Sequence, residues 1–553
     1  MKKLGAVIAV LVLAAIGAVG LASCGGGDDT SGGSGEKGGV LNATYASFPD
    51  YMDPALSYTA EGWTAMADIY VPLLTYKHAN GEEGSEVIPG LAKEVPSTSN
   101  GGISKDGKTY KLFLRPGLKY SDGTPVKASD FPFAVERMIQ LNSGGSPFYL
   151  SIDGAEKFAE TKQGPIPGIK TNDKTGEIVI NLERPRGTFV NELGLMFVAP
   201  LPQDTPISDQ SASPPPGTGP YMITKSQPGK GWEYERNPYW AKDNGKAMPD
   251  LPEGVMDGAK ITVIRNEQTQ VDDIEQGTFD WMQNPPPSSR YAEVKEKFEG
   301  TQFRVEPTIS TYYFWMNSQR APFDDVKVRQ AVNYAIDGEA LERIYAGQIA
   351  KTQQILPPGM PGYEQFELYP YDLAKAKQMI KEANPSDMDI TVWTDTESPN
   401  NEGGEYLNEV LKDLGFNTTL KILNADNYFT VIGNETTPEL DAGWSDWFQD
   451  YPHPNDFFQP LLSGESILPT NNGNFARLDD PAINKKITEL GEEQLGPEQE
   501  EAYKELDKEI MELAPWAPYG TRTLSTFVSD EIDLESVIFN PTFGHYLSSF
   551  EFK

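Results

Sequence analysis

The sequence predicts an α/β protein of two lobes with a ligand cleft between them. Three observations lead there. Lys260 to Met282 reads strand–helix–strand: an ITVI strand, a helix carrying Val271 and Ile274, then Gly277 before FDWM. That order favours a parallel crossover unit. Residues 312–423 alternate strand and helix again and make a second such unit. Pro-rich breaks, Ser213–Tyr221 and Pro285–Pro287, interrupt the chain beside these units. Clefts between domains are where small ligands bind.

The elements follow in order. Val40 to Phe48 (VLNATYASF) is a strand, and Asp106 to Tyr120 alternates like a strand pair turning at Pro116-Gly117. Ser129 is placed to cap a helix that presents Phe131, Ala134, Val135, Met138 and Ile139, with Pro132 tolerated in its first turn. Ile178 to Leu182 is a strand. Tyr312 to Asn317 (YYFWMN) is a strongly apolar strand, read as core with alternate residues open to the cleft. The helix from Val326 turns Val328, Val332, Ala335 and Ile336 to one face. A second helix spans Tyr371 to Ala383 with Asp372 as cap. Asp389 to Thr394 is a strand, the helix stripe Tyr406 to Leu414 stops at Gly415, and Leu420 to Leu423 is the next strand. Two helices follow, from Pro481 and from Gln499.

Composition removes several function classes. The chain has 553 residues and a formal charge of −35, which repels phosphate backbones and argues against nucleic-acid binding. A single Cys and three His, far apart at 78, 453 and 545, cannot build a Cys/His zinc site. There is no G-x-S-x-G and no H-E-x-x-H. A carboxylate-based hydrolase stays open, because its two acids can come from anywhere in the chain.

The N-terminus is an address. Lys2 and Lys3 precede an apolar run from Leu4 to Gly20, then Leu21-Ala-Ser-Cys24. This is the architecture of a secretory signal, and its end resembles the lipobox of bacterial lipoproteins, with cleavage before Cys24 and acylation of its thiol. Gly25 to Gly39 is a flexible polar tether. The expected product is a soluble body held by lipid at the outward face of the cell membrane, on its periplasmic or extracellular side.

Four segments carry a family resemblance. They are Asp106 to Asp130 (DGKTYKLFLRPGLKYSDGTP…ASD), Gly217-Thr-Gly-Pro-Tyr221 with Arg236-Asn-Pro-Tyr-Trp240, Phe314-Trp-Met-Asn317 through Asp324 to Val332, and Trp447-Phe-Gln-Asp-Tyr-Pro-His-Pro454. Together they are similar to the extracellular solute-binding proteins of ABC importers, of the dipeptide/oligopeptide-binding type. The resemblance implies a periplasmic-binding-protein fold of type II with an extra subdomain. It implies hinge closure on a ligand, a permease and an ATPase as partners, a monomer, and no catalysis, cofactor or metal. Its layout is a signal peptide at 1–23, lipidated Cys24 and tether at 24–39, lobe one at 40–311 with the extra subdomain at about 65–200, lobe two at 312–518, and a return to lobe one at 519–553.

In peptide-binding members, the Asp at the position of Asp450 holds the ligand's α-ammonium and the Trp at Trp447 packs beside it; Tyr451 joins them as a candidate. The alternative for Asp450 is a turn-forming role in Asp-Tyr-Pro. One departure stands out. Dipeptide binders place an Arg for the ligand's carboxylate after the strand equivalent to Asp389–Thr394, where this chain has Trp393-Thr-Asp-Thr-Glu-Ser-Pro399, with Asp395 and Glu397 and no Arg. Either longer peptides bind through their backbone, or the ligand has no free carboxyl terminus; a cationic solute would suit the acids. Nickel ranks low, since only His453 lies near the site, and sugar and opine binders belong to the same class. A surface hydrolase and a sensor or chaperone that does not transport are the competing readings.

Overall fold

The structure is a computed structural model and describes residues 38–470 and 472–553. The signal segment, Cys24 and most of the tether lie outside the described residues. No helix among the described residues is long and apolar enough to cross a membrane.

The fold is built on one twelve-stranded mixed sheet. Its hydrogen-bonded path runs 417–423, 389–395, 442–448, 310–316, 516–528, 281–282, 40–45, 258–263, 231–236, 221–227. The strand Trp516–Val528 is the bridge. Its first half pairs antiparallel with Ser310–Met316, and its second half pairs with Phe303–Pro307 and with Trp281–Met282. At thirteen residues it is more than twice the usual strand length, so it reaches both halves of the sheet.

On one side of this bridge the parallel crossover is present. Gly258–Val263 and Trp281–Met282 flank Val40–Tyr45, both parallel to it, with the helix Glu267–Glu275 between them in sequence. On the other side Asp389–Asp395 pairs parallel with Asn417–Leu423 and with Ala442–Phe448. The hydrophobic cores divide accordingly. One gathers buried residues from 41 to 281 with the chain end from 528 to 550, and a single outsider, Tyr451. The other gathers residues from 309 to 519. A small third core packs Val271, Ile274, Tyr291 and Val294 against Phe303 and Phe527.

Several sequence expectations are refined. Asp106–Tyr120 is not a hairpin about Pro116-Gly117: only Thr109–Phe113 is a strand, and it pairs with Glu177–Asn181 in a separate three-stranded sheet. The Asp-Gly and Pro-Gly steps are turns, with Gly107, Gly117 and Gly123 all at positive φ, but a long-range partner outcompetes the local one. Ser129 does not cap its helix. The helix Asp130–Gln140 forms with the expected buried face, while the Ser129 hydroxyl is committed to Asp173 at 3.0 Å. Asp372 does cap, accepting from the Lys375 amide at 2.8 Å. The helix expected from Tyr406 begins six residues earlier, at Asn400. All seven residues of Ser310–Met316 are buried, as a strand covered on both faces requires.

Candidate functional site

The strand Ala442–Phe448 and the helix Asn455–Leu462 are joined by a six-residue turn that carries Asp450 and Tyr451. The strand delivers Trp447 at its end, and the helix returns Asp456 in its first turn. Asp456 organises the turn: its Oδ2 accepts from the Asp450 amide at 2.9 Å and from Trp447 Nε1 at 3.2 Å. That frees the Asp450 carboxylate for other partners. Its Oδ2 accepts a 2.7 Å hydrogen bond from the hydroxyl of Tyr58, 392 residues away in sequence.

Tyr58 packs on the surface of the first core, against Trp63 and Phe197. Its ring lies parallel to Trp63 at 6.0 Å and edge-on to Phe197 at 5.2 Å, and it remains 37% exposed while its hydroxyl reaches the buried carboxylate. Tyr451 points the same way: it is 4% exposed and packs edge-on to Phe148 at 5.9 Å. Gln449 adds a bond from its Nε2 to the Thr542 hydroxyl at 3.2 Å. The turn therefore grows from the second core and plugs into the first.

The electrostatics of this turn are unusual. Asp450 and Asp456 are both buried, and neither is in an ion pair among the described residues. Burial pushes Asp450 up to about 7, partly offset by the Tyr58 hydroxyl. Asp456 is driven well above the usual carboxylate range by burial and by Asp450 itself. A neighbouring cation, Arg186, is already claimed by Glu192, with Nε at 2.7 Å from Oε1. Two desolvated acids without a counter-charge are costly for the protein alone and well suited to receive a cation.

The structure therefore places Trp447 at the end of the strand and Asp450 and Tyr451 on the turn that follows, each in different surroundings. Asp450 faces Tyr58, Trp447 is pinned to Asp456, and Tyr451 is core. Sequence reasoning missed Tyr58 and Asp456. Asp456 had a signal, as an acid six residues after Asp450 in a first helical turn; Tyr58 had none. His453 is fully buried and held near 3 by burial and by Arg186, so it is neutral; its Nδ1 accepts from the Asn455 amide at 3.1 Å. No group of three or more His, Cys, Asp or Glu among the described residues is arranged to hold a metal.

The second set of acids lies at the end of Asp389–Asp395. Asp395 is 3% exposed, accepts from the Glu397 amide at 2.8 Å, and is raised to about 6 by burial. Glu397 is exposed. So the two acids of the WTDTESP stretch have opposite environments, one inside and one at the surface.

The profile of the bacterial extracellular solute-binding proteins, family 5 (middle), matches residues 86–468. The chain is 26% identical over 519 residues to heme-binding protein A of Haemophilus influenzae, covering 86% of this chain and 85% of that one. It is 24% identical to the oligopeptide-binding protein OppA of Bacillus subtilis across the whole of both chains. It is 26% identical over 445 residues to the dipeptide-binding protein of Escherichia coli, covering 75% and 77%. Among solved structures, clavulanic acid biosynthesis oligopeptide binding protein 2 superposes with a TM-score of 0.84 at 24% identity, covering 93% of this chain and 96% of that one. The unliganded open form of the murein tripeptide binding protein MppA superposes at 0.73 and 22%, covering 94% and 99%. With the two-lobed α/β architecture and a profile match over more than half its length, the chain belongs to the family 5 extracellular solute-binding proteins of bacterial ABC importers.

Proposed function

We propose that this protein is a lipid-anchored receptor that captures a peptide by its α-ammonium and delivers it to an ABC permease and ATPase. The buried Asp450–Asp456 pair, with the Tyr58 hydroxyl reaching Asp450 from the other core, carries this reading. A primary ammonium supplies the missing charge and donors, and charge-assisted hydrogen bonds in a desolvated site are strong. The peptide-binding names of two relatives agree with it, while the heme-binding name of a third keeps the class of solute a matter for experiment.

In this reading Asp450 pairs with the ammonium, Asp456 holds Asp450 and the Trp447 indole in place, and Tyr451 anchors the turn. The bridging strand Trp516–Val528 is the hinge between lobes at 40–311 and 312–518. Cys24 bears the lipid, and the receptor works as a monomer at the outward membrane surface. The surface hydrolase is the weaker reading, because the relatives are binding proteins.

The test is calorimetry on one peptide in free, N-acetylated and C-amidated forms. N-acetylation removes the cation and should cost at least about 30-fold in affinity, from an expected 2–5 kcal/mol for an unpaired buried charge. C-amidation should cost much less, since the loop at 393–399 holds no Arg. If N-acetylation leaves affinity intact, Asp450 is a turn residue and not the ammonium site.

A further inference from the structure

A second contact between the two cores lies away from Asp450. The helix Pro481–Glu492 ends in a short loop that leads into the helix Pro497–Leu513. Leu490 and Leu495, on either side of this loop, pack on the second core. A helix leaves its last carbonyls without partners inside itself. Here the carbonyl of Gly491, in the last turn, accepts from the amide of Gly187 at 2.9 Å. Gly187 lies two residues before Phe189, a member of the first core. Another bond runs beside it: Gln494 Nε2 donates to the Tyr110 hydroxyl at 3.3 Å, and that hydroxyl donates to the Arg186 carbonyl at 2.8 Å. Tyr110 also belongs to the first core, edge-on to Phe189 at 4.9 Å. The loop at 491–494 is thus anchored in one core and docks on the other.

The fit leaves no room for a side chain at position 187. A Cβ on Gly187 would overlap the Glu493 carbonyl oxygen, lie 2.6 Å from its carbon and 3.4 Å from the Gln494 nitrogen. These three nearest atoms all come from the opposing loop, so alanine here collides across the contact and not within its own core. They are backbone atoms, which cannot turn aside as the end of a side chain can. The same loop also rests on the ligand turn. A Cβ on Gly491 would meet Asn455 Nδ2 at 3.0 Å. Asn455 opens the helix whose next residue, Asp456, accepts from the Asp450 amide. Closely packed elements transmit a shift from one to the next. Contacts therefore run unbroken from Gly187 through Gly491, Asn455 and Asp456 to the turn that carries Asp450.

We propose that Gly187 and the loop at 491–494 form a latch that holds the two halves closed and steadies the Asp450 turn without touching the ligand. The inference rests on the receptor reading above and adds what sets its strength. The apparent affinity of a receptor that binds in its closed form scales with the fraction of molecules already closed. The latch raises that fraction for every ligand alike, whereas Asp450 acts only on ligands that carry an ammonium. Glycine is required at 187 because any larger residue holds the Glu493 carbonyl, and with it the second core, at a distance.

The test compares wild type, Gly187→Ala and Gln494→Ala, with melting curves to check that each folds. Hydrogen exchange is read first, without ligand. In Gly187→Ala the segments 185–189 and 449–456 should both exchange at least about tenfold faster than in wild type, while the buried strand Ser310–Met316 is unchanged. Faster exchange confined to 185–189, or no change at all, overturns the latch. Calorimetry follows with two peptides of different sequence, both with free amino termini. Gly187→Ala should weaken both by one common factor of at least about ten. Gln494→Ala, which loses a single hydrogen bond, should weaken both by about fivefold. Unchanged affinity, or a factor that differs between the two peptides, overturns the latch. If Gly187→Ala does not fold, Gln494→Ala decides by its smaller shifts in both measurements. If wild type binds neither peptide, the exchange result alone decides the latch, and the peptide reading falls.

Discussion

Two buried aspartates of this protein face the same problem and solve it in opposite ways. Asp53 and its partner Arg137 are both fully buried, and the guanidinium grips the carboxylate with two bonds, 2.9 Å to Oδ1 and 2.5 Å to Oδ2. The backbone completes the arrangement: the amides of Ala55 and Gln210 donate to Asp53, and Arg137 donates to the carbonyls of Pro206 and Ser208. Asp450 is almost as deeply buried, yet it has a tyrosine hydroxyl where Asp53 has a guanidinium, and a second acid stands behind it. Asp53 carries its own cation; in the function proposed here, Asp450 leaves that position for the ligand.

The sharpest way to break the comparison is to remove the cation from the structural pair. Arg137→Met should cost about 3–5 kcal/mol in folding stability, because it strands Asp53 as an uncompensated buried charge. Urea unfolding followed by far-UV circular dichroism reads this directly. A loss below about 1 kcal/mol would mean that the pair is not what holds this region.

Asp450→Asn should do the reverse. Stability at pH 7.5 should hold or rise, since a desolvated acid is neutralised without a change of shape, while affinity for a peptide with a free amino terminus falls by about 30-fold or more. Loss of stability together with affinity would move Asp450 into the class of Asp53.

The burial of Asp450 also makes stability depend on pH. Carboxylates ordinarily titrate near 4, whereas burial holds Asp450 up to about 7. Between those values the folded state keeps a proton that the unfolded chain has lost. The stability this group contributes is therefore full below about pH 4 and is lost as pH rises through 7. At about 1.4 kcal/mol per unit this is on the order of 2–4 kcal/mol. Asp507, raised to about 7, and Asp68, raised to about 6, share the direction, so Asp450→Asn should reduce the slope of melting temperature against pH rather than abolish it. Ligand affinity should run the other way, rising from pH 5 to 8 as the acid ionises to meet the ammonium. Affinity that is flat or falls over that range would contradict the pairing.

The smallest effect expected is from Tyr58→Phe. One hydrogen bond to Asp450 is lost, worth about 1 kcal/mol, so peptide affinity should drop about fivefold with little change in melting temperature. No change in affinity would mean that the contact across the two cores is incidental to binding.

Local pattern was enough for most elements. The crossover from Lys260 to Met282, the stripe Val328–Val332–Ala335 and the cap at Asp372 follow from period, turn chemistry and capping, all of which act within a few residues. The family motif was enough to single out Asp450, because Trp-Phe-Gln-Asp-Tyr-Pro is a contiguous string. The local pattern failed where a distant partner competed: Thr109–Phe113 turned from its expected hairpin to Glu177–Asn181, and the Ser129 hydroxyl went to Asp173.

What the amino-acid string determined by itself, then, was the α/β class, the acidic character and the turn that carries Asp450. Tertiary structure alone decided what that carboxylate meets. Tyr58 reaches it across 392 residues, Tyr451 leaves its own core for the other, and Asp395 is buried while Glu397 is exposed. Burial and long-range contact set the energy of a charge, and neither is a property of neighbouring residues in sequence. They appear only once the thirteen-residue strand Trp516–Val528 has joined the two halves into one sheet.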